Sequence, residues 1–269
     1  MNKNLIIDVG MHTGKDTEFY LMKGFHVVAI EANPYLVAQA RKRLSTYINN
    51  SELTIRDIAI SDHDGEIEFY INRQHDDWST TSKRFAARAE HLGTTNEVIT
   101  VKCTTFDNIL RDSGIPYYLK IDIEGADNLC LEALLRFEDR PRYLSVEADL
   151  TNFEDAFTKL SLIWQLGYRK FKIVNQFNHL KVKCPNPPLE GRFVDFRFDG
   201  VSSGPFGEEA PGEWLGIQNT IDKCRFLIKE QALFGAGQKL YGTLLHRLFE
   251  VYKREPVGWY DFHARLGDR

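Results

Sequence analysis

Leu5-Ile6-Ile7-Asp8-Val9-Gly10-Met11-His12-Thr13-Gly14 opens the chain with an apolar run, an Asp-x-Gly turn and a second glycine. An unbroken apolar run of this length reads as a strand buried on both faces, as in a parallel sheet. The stretch that follows Gly14 suits a helix. Gly10 offers backbone angles closed to other residues and lets a ligand approach the main chain. Strand, glycine loop and helix in that order bind a nucleotide-like cofactor at the carboxyl edge of a sheet. The question is which cofactor.

Outward from this loop, residues 16–23 read as a helix stopped by Gly24. Residues 25–31 form a second apolar strand ending in the Glu31 carboxylate. Asn33-Pro34 then caps a helix over residues 35–48. This β-α-β-α order predicts a doubly wound sheet. Residues 53–60 read as a third strand, with 66–72 as its antiparallel hairpin partner across the Asp62-His63-Asp64-Gly65 turn. A polar loop carrying Trp78-Ser79-Thr80 leads to a helix (83–92), a strand (98–103) and a brief helix (105–110). Residues 116–125 are a second strand-to-loop stretch, followed by helix 127–137, strand 142–149, helix 153–166 and strand 168–175. Residues 192–198 are expected to pair antiparallel with 168–175. The fold class expected is α/β, a doubly wound sheet, mostly parallel with an antiparallel edge.

Composition shifts at Gly200. Residues 1–199 read as the core, and 200–269 as a Gly/Pro-rich loop followed by a mainly helical appendage (217–234 and 239–253) that covers the acceptor site. The aromatic end Trp259-Tyr260 reads as core packing, and the loop Gly204-Pro205-Phe206-Gly207 as a lid together with Ser79 and Thr80.

The 269 residues are 43% hydrophobic and 27% charged, with net charge −4, which suits a globular protein and gives no support for a nucleic-acid partner. Cys103, Cys130, Cys184 and Cys224 are scattered, which indicates neither a zinc site nor a disulfide framework. No apolar segment approaches the ~20 residues of a membrane span, and no leader is expected ahead of the first strand. Reduced thiols and a cytoplasmic location are expected.

The dinucleotide fingerprint is Gly-x-Gly-x-x-Gly. Here His12 stands where the second glycine belongs, so close approach of a pyrophosphate is obstructed and an NAD site is disfavoured. S-adenosylmethionine has no phosphate and fits better: its aminocarboxypropyl arm suits the Asp8–Gly14 loop, and Glu31 suits its ribose. Asp8 alone reads as a turn residue and Glu31 alone as a solvent carboxylate; their joint spacing favours a cofactor site.

Four stretches carry a family resemblance: Ile6-Ile7-Asp8-Val9-Gly10-x-x-x-Gly14-x-Asp16-Thr17; Ile30-Glu31-Ala32-Asn33-Pro34; Ile58-Ala59-Ile60-Ser61-Asp62-x-x-Gly65; and Leu119-Lys120-Ile121-Asp122-Ile123-Glu124-Gly125-Ala126-Asp127. Together, with Thr105-Phe106-Asp107 ahead of the last, they resemble the FkbM family of S-adenosylmethionine-dependent methyltransferases over residues 4–175. The resemblance implies a class I methyltransferase (Rossmann-like) fold and O-methylation of a hydroxyl on a sugar, glycan or related metabolite. It departs at His12, where the family often carries Asn. By the same resemblance Asp8, Gly10 and Gly14, with His12 between them, hold the methionine part, Glu31 the ribose and Ala32 the adenine edge. Asp57 and Ile58 are weaker adenine-side candidates, Asp57 reading equally as a structural strand end.

O-methylation needs positioning, a base or metal for the hydroxyl proton, and exclusion of water. Asp122 and Glu124, two apart at a strand end, point to one side. They are the candidate catalytic acids, with Lys120 as counter-charge. Glu147 and Asp149 at the next strand end complete a set of four that could bind Mg²⁺ through oxygen, although such clusters are also common as plain polar rims. His12 is an alternative base, as is His263. An NAD-dependent oxidoreductase and a non-catalytic glycan- or cofactor-binding module are the rival readings.

Overall fold

The computed structural model describes residues 1–200, 202–235, 237–253 and 255–267. In chain order the elements are β1 (Asn2–Val9), α1 (Lys15–Met22), β2 (His26–Glu31), α2 (Pro34–Arg43), α3 (Ser45–Asn49), β3 (Leu53–Asp57), β4 (Ala59–Ile60) and β5 (Gly65–Asn72). Then come α4 (Lys83–His91), β6 (Asn96–Thr104), α5 (Phe106–Ser113), β7 (Pro116–Ile121), α6 (Asp127–Leu134), β8 (Tyr143–Ala148), α7 (Phe153–Gln165) and β9 (Tyr168–Asn175). The described chain closes with α8 (Ile217–Phe234), α9 (Leu244–Lys253) and β10 (Tyr260–Leu266).

Seven strands form one sheet in the order β3-β2-β1-β7-β8-β10-β9. All run parallel except β10, which pairs antiparallel with β8 and with β9. Side chains alternate between two buried faces. Ile7, Val9, Leu119, Ile121, Leu144, Val146 and Phe262 pack under α5, α6, α7 and α8. Ile6, Val27, Ala29, Tyr118 and Tyr143 pack under α1 and α2 with Phe198 and Phe206. Helices on both faces make the doubly wound α/β sheet expected of a class I methyltransferase.

Four local expectations are corrected. Residues 53–60 are not one strand: Ile58 N–H donates to the Glu31 carbonyl (3.1 Å), and the chain then leaves the sheet. Ala59 and Ile60 pair instead with Cys103 and Thr104. The expected hairpin partner, β5, runs antiparallel to β6, so β4, β6 and β5 form a separate three-stranded sheet. Alternation marks a strand but not its partner, and β6 offers a longer edge than β4. Residues 192–198 are no strand: Phe196 and Phe198 pack on Phe19 (5.1 and 4.9 Å between ring centroids). The antiparallel partner of β9 is β10, from the far end of the chain. Helix 35–48 breaks at Leu44 into α2 and α3.

Candidate active site

β1 delivers Asp8 fully buried at the carboxyl edge. Thr17 Oγ1 donates to its Oδ2 (2.6 Å), and Lys120 Nζ lies 3.4 Å from its Oδ1. Burial pushes the Asp8 carboxyl up, against the pull of Lys120 and Thr17. Gly10 sits at φ 84°, and a Cβ there would stand 1.8 Å from the Asp122 carbonyl oxygen. Only glycine lets the β1 and β7 loops press together like this. Gly14, at φ 78°, opens α1.

His12 adopts φ 52°, uncommon for a residue with a side chain. Its N–H donates to Glu31 Oε2 (2.7 Å), while Asn33 N–H donates to Oε1 (2.8 Å). The buried Glu31 carboxylate is thus fixed by two main-chain donors and keeps lone pairs for further donors. Burial still raises its pKa. The His12 ring Nε2 lies 3.1 Å from Asp76 Oδ1, in the turn that leads to Trp78. His12 therefore ties the first loop to Glu31 by its backbone and to the 73–82 loop by its ring. Ala32 is half-buried beside Glu31. Ile58 reaches Glu31 only through its main chain, and Asp57 is an exposed carboxylate 3.7 Å from Arg41.

Lys120 is the buried hub. Its Nζ lies 3.4 Å from Asp8, 3.4 Å from Asp122 and 3.7 Å from Asp16, and donates to Gly10 O (3.2 Å). Asp16 was in the quoted motif but had no role assigned. It accepts the Ser203 N–H (2.9 Å), and burial pushes its carboxyl up to about 6. Past β7 the chain turns at Glu124 (φ 43°), whose carbonyl accepts from Thr80 Oγ1 (2.6 Å), and at Gly125, where the Phe85 ring of α4 leaves no room for a Cβ.

Asp122, Glu124 and Glu147 converge, with carboxylate oxygens within 4.8 Å of one another. Burial, then Glu147 and Asp122, drive Glu124 well above the usual carboxylate range. Burial, then Asp127 and Asp122, push Glu147 up to about 8. Lys159 gives Glu147 partial relief but spends its donors on Asp127 (2.9 Å) and the Glu147 carbonyl (2.7 Å).

Of the four acids offered as a Mg²⁺ set, Asp149 does not join the other three. It accepts from Thr151 Oγ1 (2.6 Å) and Thr151 N–H (3.0 Å), closing its own turn. The remaining cluster is equally the mark of a polar rim.

Other expectations also meet corrections. His263 is buried on β10, and burial pushes it down to about 3, too weak a base to take a hydroxyl proton at neutral pH. Phe206 is fully buried and stacks on Tyr118 (4.5 Å), so the 204–207 stretch is core and not a lid. Tyr260 is core as expected, whereas Trp259 is half exposed against Phe177 (4.3 Å). Asp261 is a carboxylate that sequence reading missed altogether. It follows Tyr260 on β10, and nothing local in the chain marks it.

The sheet order and the glycine loop over its carboxyl edge define the class I methyltransferase fold. Residues 8–170 match the family model described as the methyltransferase FkbM domain, and the chain belongs to that family. Among solved structures it is similar to a methyltransferase FkbM from Methylobacillus flagellatus KT, at 18% identity and TM-score 0.41, over 64% of this chain and 40% of that one. It is also similar to a precorrin-6y C5,15-methyltransferase from Geobacter metallireducens GS-15, at 14% identity and TM-score 0.37, over 65% of this chain and 69% of that one. A putative methyltransferase from an antibiotic biosynthesis pathway of Anabaena variabilis ATCC 29413 aligns at 10% identity and TM-score 0.34, over 99% of this chain and 92% of that one. Comparison with curated proteins finds no match. Family membership implies S-adenosylmethionine as cofactor.

Proposed function

We propose that this protein moves a methyl group from S-adenosylmethionine to a hydroxyl of a sugar, glycan or related small molecule. The observation that carries this reading is the convergence of Asp122, Glu124 and Glu147 beside the Gly10–Gly14 loop. When bound, S-adenosylmethionine supplies a sulfonium methyl for in-line transfer. The residues present fit it. Glu31 is pre-oriented for the ribose, Gly10 leaves the main chain bare, and among the described residues Asp8 Oδ1 accepts no hydrogen bond beside its ion pair with Lys120. The fixed carboxylates suit a cation in a water-poor cleft. Asp122, held by Lys120, faces the methyl side. Glu124, raised by burial and then by Glu147 and Asp122, takes the hydroxyl proton as general base. The His12 N–H positions Glu31.

Titration calorimetry with S-adenosylmethionine, S-adenosylhomocysteine and NAD tests the cofactor; binding of NAD with neither sulfur ligand would sink the reading. Glu124→Gln is expected to keep S-adenosylhomocysteine affinity within about twofold and to cut methyl transfer about 10²-fold or more. Full activity in both Glu124→Gln and Asp122→Asn would remove the catalytic assignment.

A further inference from the structure

We infer that Glu147 and Asp261 form a cation subsite on the acceptor side, and that the molecule methylated carries an ammonium group, as an amino sugar does. The inference rests on the methyl-transfer reading above. In β10, Asp261 stands directly opposite Glu147 of β8. Opposed residues of an antiparallel pair share a face with Cβ atoms about 4.5–5.5 Å apart, where like charges destabilise a sheet. Asp261 is only 9% exposed. Among the described residues no hydrogen bond or ion pair meets its carboxylate or that of Glu147.

The nearby cations are engaged elsewhere: Lys120 among Asp8, Asp16 and Asp122, and Lys159 on Asp127. The residue opposite Asp261 on its other side, Val174 of β9, carries no charge. Two facing acids whose nearest lysines are bonded to other carboxylates call for a further cation from a ligand. The methyl donor does not fill this role. β10 lies three strand intervals from β1, about 14 Å, whereas the donor's methionine and ribose ends are assigned to the β1 and β2 loops. An ammonium held here stays protonated, so it serves as a handle and leaves the hydroxyl as the nucleophile.

The electrostatics agree. Burial drives Asp261 well above the usual carboxylate range; Asp122, Glu147 and Asp16 add to this and Lys120 opposes it. Glu147 is pushed up to about 8 under burial, Asp127, Asp122 and Asp149, against Lys159.

The test uses the full chain loaded with S-adenosylhomocysteine. Calorimetry with glucosamine is set against glucose and N-acetylglucosamine, which keep the ring and lack the charge. Glucosamine is expected to bind at least about tenfold more tightly than either. Asp261→Asn and Glu147→Gln are each expected to cost about tenfold for glucosamine and to leave S-adenosylhomocysteine affinity unchanged. Equal binding of the three sugars, or a preference that survives both variants, overturns the subsite. Binding of Mg²⁺ at these residues with no response to the amine overturns the ammonium assignment. A lowered unfolding midpoint in both variants makes the pair structural and also overturns it, because removing an unpartnered buried charge otherwise holds or raises stability. Failure to bind S-adenosylhomocysteine strikes the methyl-donor reading instead, so the two failures are separable.

Discussion

At the scale of residues, the site is a problem of charge held out of water. Asp8, Asp16 and Asp122 share the single ammonium of Lys120, which is 5% exposed. Removing that ammonium leaves the buried Asp8 and Asp16 carboxylates without a counter-charge. Lys120→Met is expected to destabilise the protein by about 3–5 kcal/mol, read as a lower midpoint in urea unfolding. Asp16 gives a pH test with a definite sign. Its folded pKa, about 6, lies above the ordinary 3.8. The protonated form is thus favoured by folding, and its contribution is full below about pH 4 and lost as pH rises through about 6. The ligand-free protein is expected to lose up to about 3 kcal/mol from this group between those limits. Asp16→Asn flattens that part of the stability–pH curve, measurable by urea melts at closely spaced pH.

At the scale of elements, β10 matters more than its position at the end of the chain suggests. It lies between β8 and β9, pairs with both, and carries Phe262 and Ala264 fully buried. A chain ending at Gly258 leaves two strands without their partner and part of the core open. Such a truncation is expected to abolish the cooperative thermal transition followed by circular dichroism; a truncated protein melting like the full chain would contradict this. Loop 73–82 is the other element to watch. His12–Asp76 joins it to the first cofactor loop, and Thr80 to Glu124 joins it to the second. One strap thus spans both walls of the cleft.

At the scale of the whole molecule, the carboxyl edge of the sheet between the two helical layers gathers Asp8, Glu31, Lys120 and the Asp122–Glu124–Glu147 cluster. Occupation of that edge by S-adenosylhomocysteine is expected to slow hydrogen exchange in residues 10–14, 122–126 and 73–82 together, with α9 unaffected. Slowing confined to 10–14 would mean that the strap does not respond to the cofactor. Among the described residues no helix is long and apolar enough to cross a membrane.

The chain alone told β1, its glycine loop, Glu31 and the Lys120–Gly125 stretch, because each is local: apolar runs, turn residues and spacing are written consecutively. The doubly wound core follows from those same signals. Partnership across long separations is not written that way. Residues 192–198 read as the antiparallel partner of 168–175, yet 260–266 fills the gap between β8 and β9, while Phe196 and Phe198 pack on Phe19 of α1. The same non-local pairing sets Asp261 opposite Glu147, sends Asp149 away from the acid cluster and buries His263 beyond use as a base. Alternation determines which face a side chain takes within a strand; only the packed sheet decides which other charges share that face.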